Sequence, residues 1–329
     1  MHRLGLLILL LMPLWCLANK GGGHPVIIGG INLTELQLGD SDPYGDFKTL
    51  AIPIKRAGNL LIVEAQIDSV AGNFVLDTGA PYLVLNETYF RDLPHIVEQE
   101  AGGINGRTSS TFTTVVHNFS LGFDLHFDRL VADVTDLSGI ENSKKIKILG
   151  LLGTRLFNKL AITIDMANNL LYIHKLDSKG DIINDQRNLK NPDLQVPFQL
   201  MHDVILLKAK ITDKTVWLAF DSGAETNMID LHVPKKVLKS LEILNRSSVT
   251  GVGGTKYELI YARCNNLEIG NKTFTGNHVL VSNLENIGKA YGYSVDGILG
   301  YDFFARGVFT INFAKKEFEM YIYNHQQDK

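Results

Sequence analysis

Short apolar runs separated by glycine, asparagine and aspartate recur along the chain from residue 50 onward. The second half of residues 60–67 alternates between apolar and polar positions, as a strand of a half-buried sheet does. Comparable runs predict further strands at residues 50–54, 74–76, 83–85, 111–116, 119–121 and 125–134. Short helical segments are predicted at residues 88–93, 154–160 and 301–306. This pattern predicts an all-β fold with short helices.

The same pattern of apolar and polar positions occurs twice in the chain. Asp77-Thr78-Gly79-Ala80 follows one apolar run, and Asp221-Ser222-Gly223-Ala224 follows the matching run 144 positions later. The apolar-apolar-glycine segments at residues 151–153 and 298–300 match at a spacing of 147. A repeat of this length predicts two copies of one β-rich unit rather than a solenoid. The predicted segments are a signal peptide at residues 1–18, a flexible segment at 19–46, an N-terminal lobe at 47–177, a linker at 178–193 and a C-terminal lobe at 194–325.

Composition and the N-terminus indicate an exported globular protein. The chain has 329 residues, 20% of them charged, and a net charge of −3, so no basic surface for nucleic acid is expected. A basic start and an apolar run at residues 4–14 predict a secretory signal cleaved after Ala18, and hence a periplasmic or extracellular protein. An uncleaved anchor helix is the alternative, although the run is short for a membrane span. Trp15 argues against lipid attachment at Cys16, and removal of the signal would leave Cys264 without a disulfide partner.

The two aspartates indicate a shared chemical task only if the lobes meet. A single Asp-Thr-Gly is more often a turn, because aspartate and glycine are the usual turn residues. If the lobes pack about a pseudo-two-fold axis, Asp77 and Asp221 meet at that axis and share one proton, since two close carboxylates do not both ionise easily. The ionised member can then take a proton from water while the protonated member polarises a carbonyl, without a metal or cofactor.

The residues beside each aspartate fit the same task. Thr78 and Ser222 carry hydroxyls that can bond the backbone of the other lobe and brace both loops. Gly79 and Gly223 let the backbone approach the partner loop and the substrate, where a Cβ would obstruct it. The apolar-apolar-glycine segments would pack beneath the loops. Glycine-rich hairpins before two strands are candidate flaps over the cleft, with plain hairpin turns as the alternative; their glycines are Gly103, Gly106, Gly251, Gly253 and Gly254.

These motifs resemble those of aspartic peptidases of the pepsin/retropepsin type, and the chain is similar to the single-chain, two-lobe exported bacterial members called aspartyl protease family proteins. The resemblance covers residues 47–323. It implies two retropepsin-like β-barrel lobes related by a pseudo-two-fold axis around a central cleft. Asp77 and Asp221 would be the catalytic pair of an aspartic endopeptidase, with Ala80 and Ala224 among the residues that brace the pair and contact the substrate backbone.

The resemblance also implies the partners. The substrate would be a polypeptide in extended conformation that lies across both lobes and bonds to the flap strands through its main chain. No nucleic acid, metal or cofactor is expected. A monomer is expected because one chain holds both lobes.

Two departures from the family pattern bear on substrate binding. Pro81-Tyr82 and Glu225-Thr226 follow the motifs, where retropepsins commonly carry acidic residues that hold the substrate backbone. The first candidate flap lacks the tyrosine expected of pepsin, and Tyr257 lies near the second. A non-catalytic peptide- or envelope-binding protein on the same scaffold is therefore the alternative function. Two unrelated β-sandwich modules, with the aspartates on separate surfaces, are a third interpretation.

Overall fold

The computed structural model describes residues 39–102, 108–183, 189, 191–250, 256–285, 287 and 294–323. Strands dominate both halves of the chain. The first half contains β1 (Thr49–Pro53), β2 (Lys55–Ala57), β3 (Leu60–Ile67), β4 (Val70–Leu76), β5 (Leu83–Asn86), β6 (Val97–Gly102), β7 (Thr108–Leu121), β8 (Leu125–Thr135), β9 (Gly150–Leu152), β10 (Leu160–Asp165) and β11 (Leu170–Lys175). The second half contains β12 (Leu194–Met201), β13 (Val204–Ile211), β14 (Lys214–Phe220), β15 (Asn227–Asp230), β16 (Glu242–Thr250), β17 (Lys256–Cys264), β18 (Leu267–Ile269), β19 (Lys272–Phe274), β20 (Asn277–Ser282), β21 (Gly297–Leu299), β22 (Gly307–Asn312) and β23 (Glu317–Ile322). Short helices connect them: α1 (Glu87–Phe90), α2 (Ser138–Lys144), a 3-10 helix (Thr154–Phe157), α3 (Lys235–Ser240) and α4 (Tyr301–Phe304).

Six strands close the N-terminal lobe into a barrel. β3 pairs with β4, which continues through β9, β5, β8 and β7, and β7 pairs back with β3. The β4–β9 and β5–β8 pairs are parallel, whereas the others in the ring are antiparallel. Large side chains such as Phe74, Phe119 and Phe127 fill the interior and are fully buried. Closure satisfies the strand edges that an open sheet would expose.

The C-terminal lobe repeats this order. β13, β14, β21, β15, β20 and β17 are neighbours in the same sequence as their counterparts, with β14–β21 and β15–β20 parallel. In the first lobe one long strand, β7, closes the ring by pairing with β3. In the second lobe β18, which follows β17 along the chain, makes the closing pair with β13. The predicted fold of two homologous barrel lobes is confirmed.

A six-stranded antiparallel sheet joins the lobes, in the order β1-β11-β10-β22-β23-β12. The central pair, β10 and β22, comes from different lobes. Its register places Thr163 opposite Thr310, and their hydroxyl oxygens are 2.8 Å apart. These two threonines are counterparts in the repeat, 147 positions apart. Because a residue paired with its own counterpart must lie on the symmetry axis, the pseudo-two-fold axis passes between them.

Local structure differs from the sequence-based expectations at two strands and a helix. The two strands expected at residues 111–116 and 119–121 are parts of one strand, β7, which continues through a left-handed Asn118 (φ 51°), a conformation that asparagine tolerates. Helix α2 has no amphipathic period and was not predicted. It is held by tertiary contacts: Ile140 packs in an apolar cluster, and Glu141 accepts hydrogen bonds from Ile148 N (2.8 Å) and the Tyr89 hydroxyl (2.7 Å).

The predicted flexible segment ends in residues that contact the first barrel. Residues 39–46 run antiparallel to β8, where Ser41 N donates to Arg129 O (2.8 Å) and Val131 N donates to Asp40 Oδ1 (2.8 Å). The segment therefore covers one side of β8 from Gly39 onward. The predicted signal peptide lies outside the described residues, and within those residues no helix is long and apolar enough to span a membrane.

Candidate active site

The two Asp loops occupy equivalent places at the ends of β4 and β14. Asp77 N donates to Leu152 O and Asp221 N donates to Leu299 O, at 3.0 Å in each case. These acceptors belong to the two apolar-apolar-glycine segments, which form β9 and β21 beside the strands that carry the aspartates. Each loop is therefore fixed by a parallel strand pair of its own lobe.

Four hydrogen bonds tie the two loops to each other across the lobe boundary. Thr78 N donates to Ser222 Oγ (3.0 Å), and Ser222 N donates to Thr78 Oγ1 (2.9 Å). Each hydroxyl then donates to a carbonyl of the other lobe: Thr78 to Phe220 O (2.9 Å) and Ser222 to Leu76 O (2.8 Å). The threonine and the serine thus have the bracing contacts that the sequence predicted. Both are almost fully buried, so each bond is protected from water.

Each aspartate lies against the glycine of the opposite loop. A Cβ added to Gly79 would lie 2.5 Å from Cγ of Asp221, and one added to Gly223 would lie 2.7 Å from Cγ of Asp77. Only glycine leaves room for this approach, since real Cβ atoms do not come within 3.0 Å of another heavy atom. The two carboxyl groups, which the sequence predicted to meet, are therefore brought together at the lobe boundary.

The two carboxyl groups differ in their electrostatics. Burial, and after it the charge of Asp221, raises the pKa of Asp77 well above its ordinary value. Burial also raises the pKa of Asp221, to about 6, but contact with the Asp77 side chain and backbone N–H groups oppose this rise. Oδ1 of Asp77 accepts hydrogen bonds from the N–H groups of Gly79 (2.9 Å) and Ala80 (3.2 Å), whereas its Oδ2 is buried and has no partner among the described residues. The pKa values of both carboxyl groups are therefore raised, and two buried carboxyl groups in contact share one proton.

The residues after each motif are held by backbone contacts. The carbonyl of Ala80 accepts from Thr154 N and that of Ala224 from Tyr301 N, both at 2.9 Å. These contacts require Gly153 and Gly300, because a Cβ at either would collide with the same alanine carbonyl. The candidate flap glycines, Gly103, Gly106, Gly251, Gly253 and Gly254, lie outside the described residues. Among the residues that are described, no three His, Cys, Asp or Glu side chains are grouped to hold a metal ion.

A comparison of the chain with models of protein families also finds a duplicated unit. A family model described as aspartyl protease matches residues 63–156 and again residues 207–303, one match in each lobe and more than half of the chain in all. The chain belongs to the aspartyl protease family. None of the curated proteins compared with it matches. Among solved structures, basic 7S globulin from soybean matches with a TM-score of 0.47 and 9% identity, over 83% of this chain and 94% of that chain.

Glu225, a position that the sequence flagged, makes its contacts with other residues of the chain. Its carboxylate forms a salt bridge with Lys144 at the end of α2, and its backbone carbonyl accepts from Asn59 Nδ2 (3.1 Å). Both partners come from the N-terminal lobe. Sequence reasoning did not find them, since no local pattern links residues so far apart.

The residues that follow the motif of Asp77 make different contacts from those that follow the motif of Asp221. Tyr82 carries the guanidinium of Arg155 over its ring, with 4.4 Å from Cζ to the ring centroid. Arg155 Nε also donates to Asp203 Oδ2 (2.8 Å), in the turn between β12 and β13 of the C-terminal lobe. Each lobe thus contacts the other through the turn before its first barrel strand, but with unrelated side chains.

Proposed function

We propose that this protein is an aspartic endopeptidase that hydrolyses peptide bonds with a water activated between Asp77 and Asp221. The observation that carries the proposal is the buried pair of carboxyl groups, each against the glycine of the opposite loop and held by a symmetric set of hydrogen bonds, with the pKa of both raised. A general acid and a general base in contact are what water-mediated peptide hydrolysis needs. Membership of the aspartyl protease family supports the same reaction.

The two carboxyl groups take different roles in the proposed reaction. In this assignment Asp221 is the base and takes a proton from the water as its oxygen attacks the peptide carbonyl carbon. Asp77 is the acid and gives its proton to the carbonyl oxygen. Asp221 then gives its proton to the leaving nitrogen as the C–N bond breaks, and Asp77 takes a proton back from one hydroxyl of the tetrahedral intermediate as the carboxyl product forms. No covalent intermediate with the enzyme forms, and the pair ends with one proton as it began.

The proposal extends to the substrate and its location. An extended polypeptide would lie across both lobes, and one chain supplies both aspartates, which fits a monomer. The apolar run near the N-terminus supports export through a cleaved signal peptide, to the periplasm or the extracellular space.

Cleavage of an unfolded polypeptide tests the proposal. Reduced, alkylated casein is incubated with the purified protein between pH 4 and pH 8, and new amino termini are counted. Asp77→Asn and Asp221→Asn should each lower the rate by about 10²–10⁴-fold, the usual contribution of a general acid or base. Asp213→Asn is the matched control, because Asp213 is exposed and pairs with Lys236 far from the loops. Undiminished cleavage by either loop variant would refute the assignment.

A non-catalytic peptide-binding protein on the same scaffold is the second candidate. The engagement of Glu225 by Lys144 favours it, because that carboxylate is not left free to hold a substrate backbone. Pro81 at the equivalent place has no N–H to offer. This candidate predicts that extended peptides bind without any cleavage product and that Asp77→Asn leaves their affinity unchanged.

A further inference from the structure

Six residues form a row across the N-terminal barrel, one on each strand of the ring. Strand register pairs each member with the next, and paired residues on neighbouring strands point to the same face of the sheet. The N-lobe row consists of Ile62, Val75, Leu151, Val84, Asp133 and Thr113. Its first four members are apolar and its last two are polar.

The N-lobe row lies on the active-site face of the barrel wall. Leu76 points into the main core, whereas Val75 belongs to a separate apolar cluster on the other face. Because side chains alternate along a strand, Asp77 follows on the same face as Val75. Tyr82 precedes Val84 by two positions and therefore shares this face as well. The row thus extends from the residues beside the aspartate to Asp133.

Asp133 is an incompletely paired carboxyl group in this row. It is 1% exposed, and Thr113 Oγ1 donates to its Oδ1 (2.9 Å). Oδ2 is buried and has no hydrogen-bond partner among the described residues. Burial raises the pKa of Asp133 well above its ordinary value. A buried carboxyl in this state destabilises a fold unless another group pairs with it.

The same row in the C-terminal barrel is apolar. Its members are Leu206, Ala219, Ile298, Met228, Leu280 and Tyr261, and they pack in one cluster. Leu280 is the counterpart of Asp133, and Tyr261 is the counterpart of Thr113. The fold therefore accepts leucine at this place, so the carboxyl group of Asp133 is not a requirement of the barrel.

The polar character extends along the two strands on either side of the N-lobe row. Thr111 and Thr135 flank Thr113 and Asp133 on the same face, and Thr111 Oγ1 donates to Thr135 Oγ1 (3.3 Å). The counterpart of Thr111 is Leu259, a member of the apolar cluster. On the face that carries the aspartate, the barrel wall of the first lobe thus has a buried strip of hydroxyl groups around a carboxyl, and the barrel wall of the second lobe has buried apolar side chains at the same places.

We infer that Asp133 is a specificity-determining residue that binds a basic side chain of the peptide substrate, while the matching C-lobe wall binds an apolar one. This inference rests on the proposed recognition of an extended peptide. A lysine or arginine side chain would donate to Oδ2, while Thr113 holds Oδ1. Ion pairing with a buried carboxylate is strong because water does not screen it, and it would draw Asp133 into its ionised form.

Digestion of a peptide library tests the inference through the cleavage profile. Wild-type protein should enrich Lys and Arg at one position relative to the cleaved bond. Asp133→Leu, which installs the C-lobe residue, should reduce that enrichment at least about tenfold and favour apolar residues there, and Asp133→Asn should fall between. Leu280→Met is the control on the other wall and should leave the basic preference unchanged. A wild-type profile without a basic preference, or one that survives in Asp133→Leu, overturns the inference.

Two further measurements separate this inference from a folding defect and from the proposed activity. Asp133→Leu should melt about 2–8 °C higher than wild type, because an incompletely paired carboxyl is removed. Peptides that differ only in Lys against norleucine are then titrated onto Asp77→Asn and onto Asp77→Asn with Asp133→Leu, with fluorescence anisotropy as the readout. The inference is supported, even if no peptide is cleaved, when the Lys peptide binds at least about tenfold more tightly than the norleucine peptide and this difference is lost with Asp133→Leu. If the wild type cleaves peptides but the Lys and norleucine peptides bind equally well, the inference is refuted and the proposed activity is not.

Discussion

The two lobes are nearly identical at the Asp loops and differ within two residues of them. The four bonds between the loops form two matched pairs, and the lengths within each pair agree within 0.1 Å. Directly afterwards, one lobe has Pro81 and Tyr82 and the other has Glu225 and Thr226. Symmetry is therefore confined to the part of the site where the lobes contact each other.

The difference has a physical reason. On a pseudo-two-fold axis each residue meets its own counterpart, as Thr78 meets Ser222 and Thr163 meets Thr310. A change there must fit both lobes at once, so the residues remain matched. Away from the axis each lobe meets a different neighbour, and Asp133 could diverge from Leu280 without disturbing the other lobe.

The loop glycines should give the largest effect, and an equal one in both lobes. Gly79→Ala and Gly223→Ala each place a methyl group within 2.7 Å of the opposite carboxyl carbon, which must then move. Displacing a reacting group by about 1 Å costs about 10²-fold in rate, so both variants should lose at least that much of kcat/KM on a cleaved peptide. Gly276→Ala is the control: its Cβ would meet nothing within 4 Å, and the strain of a side chain at its φ of 63° should lower stability but not kcat/KM. If one of the two loop variants retained its activity, the two loops would not be equivalent.

The bracing hydroxyls should give the next largest effect. Thr78→Val and Ser222→Ala each remove a hydroxyl that takes part in two buried bonds to the other loop. We expect each to lower the free energy of unfolding by about 1–3 kcal/mol, measured by urea denaturation. Ser143→Ala, at an exposed position in α2, should change it by less than about 0.5 kcal/mol. Losses that differ severalfold between the two loops would contradict the symmetry.

The pH dependence of the free energy of unfolding should distinguish the barrel wall of the first lobe, which carries Asp133, from the apolar barrel wall of the second lobe. The folded-state pKa of Asp133 is raised, so its contribution to stability is complete below the unfolded-state pKa and is lost as pH rises through the folded value. Asp133→Asn should flatten the decline of unfolding free energy above pH 4, by at most about 1.4 kcal/mol per pH unit. The pKa of Asp213 is lowered from 3.8 by its bond to Lys236, so Asp213→Asn should change the slope only below about pH 4, and in the opposite direction. A wild-type slope that Asp133→Asn leaves unchanged would exclude this carboxyl as the cause.

The salt bridges between the lobes should give the smallest effect. Lys144 and Glu225 are 13% and 21% exposed, whereas Arg155 and Asp203 are 38% and 35% exposed. A double-mutant cycle with Lys144→Met and Glu225→Gln should give a coupling of about 1 kcal/mol, and one with Arg155→Met and Asp203→Asn less than about 0.5 kcal/mol. Because exposed charges are screened, added salt should weaken the second pair more. The reverse order would show that burial does not decide the strength of these contacts.

Most of the strands and the pairing of the aspartates could be predicted from the sequence. The run from Leu60 to Ile67 has the period of a strand, and Gly153 and Gly300 stand at matched places after apolar pairs. Such features are local, so they can be recognised wherever they occur in the chain. Helix α2 could not be predicted, because Ile140 and Glu141 hold it through contacts with distant strands and loops.

The sequence by itself determined that the chain is a duplication and that Asp77 and Asp221 are counterparts, because a repeat records equivalent positions directly. Only the tertiary structure decided that burial raises the pKa of both carboxyl groups and that Lys144 engages Glu225. It also decided that, among the residues it describes, Oδ2 of Asp133 has no hydrogen-bond partner. Burial and pairing depend on groups that folding brings together from far apart in the chain. For that reason the two motifs predicted a shared site, while the difference between its two walls emerged only when the barrels were placed side by side.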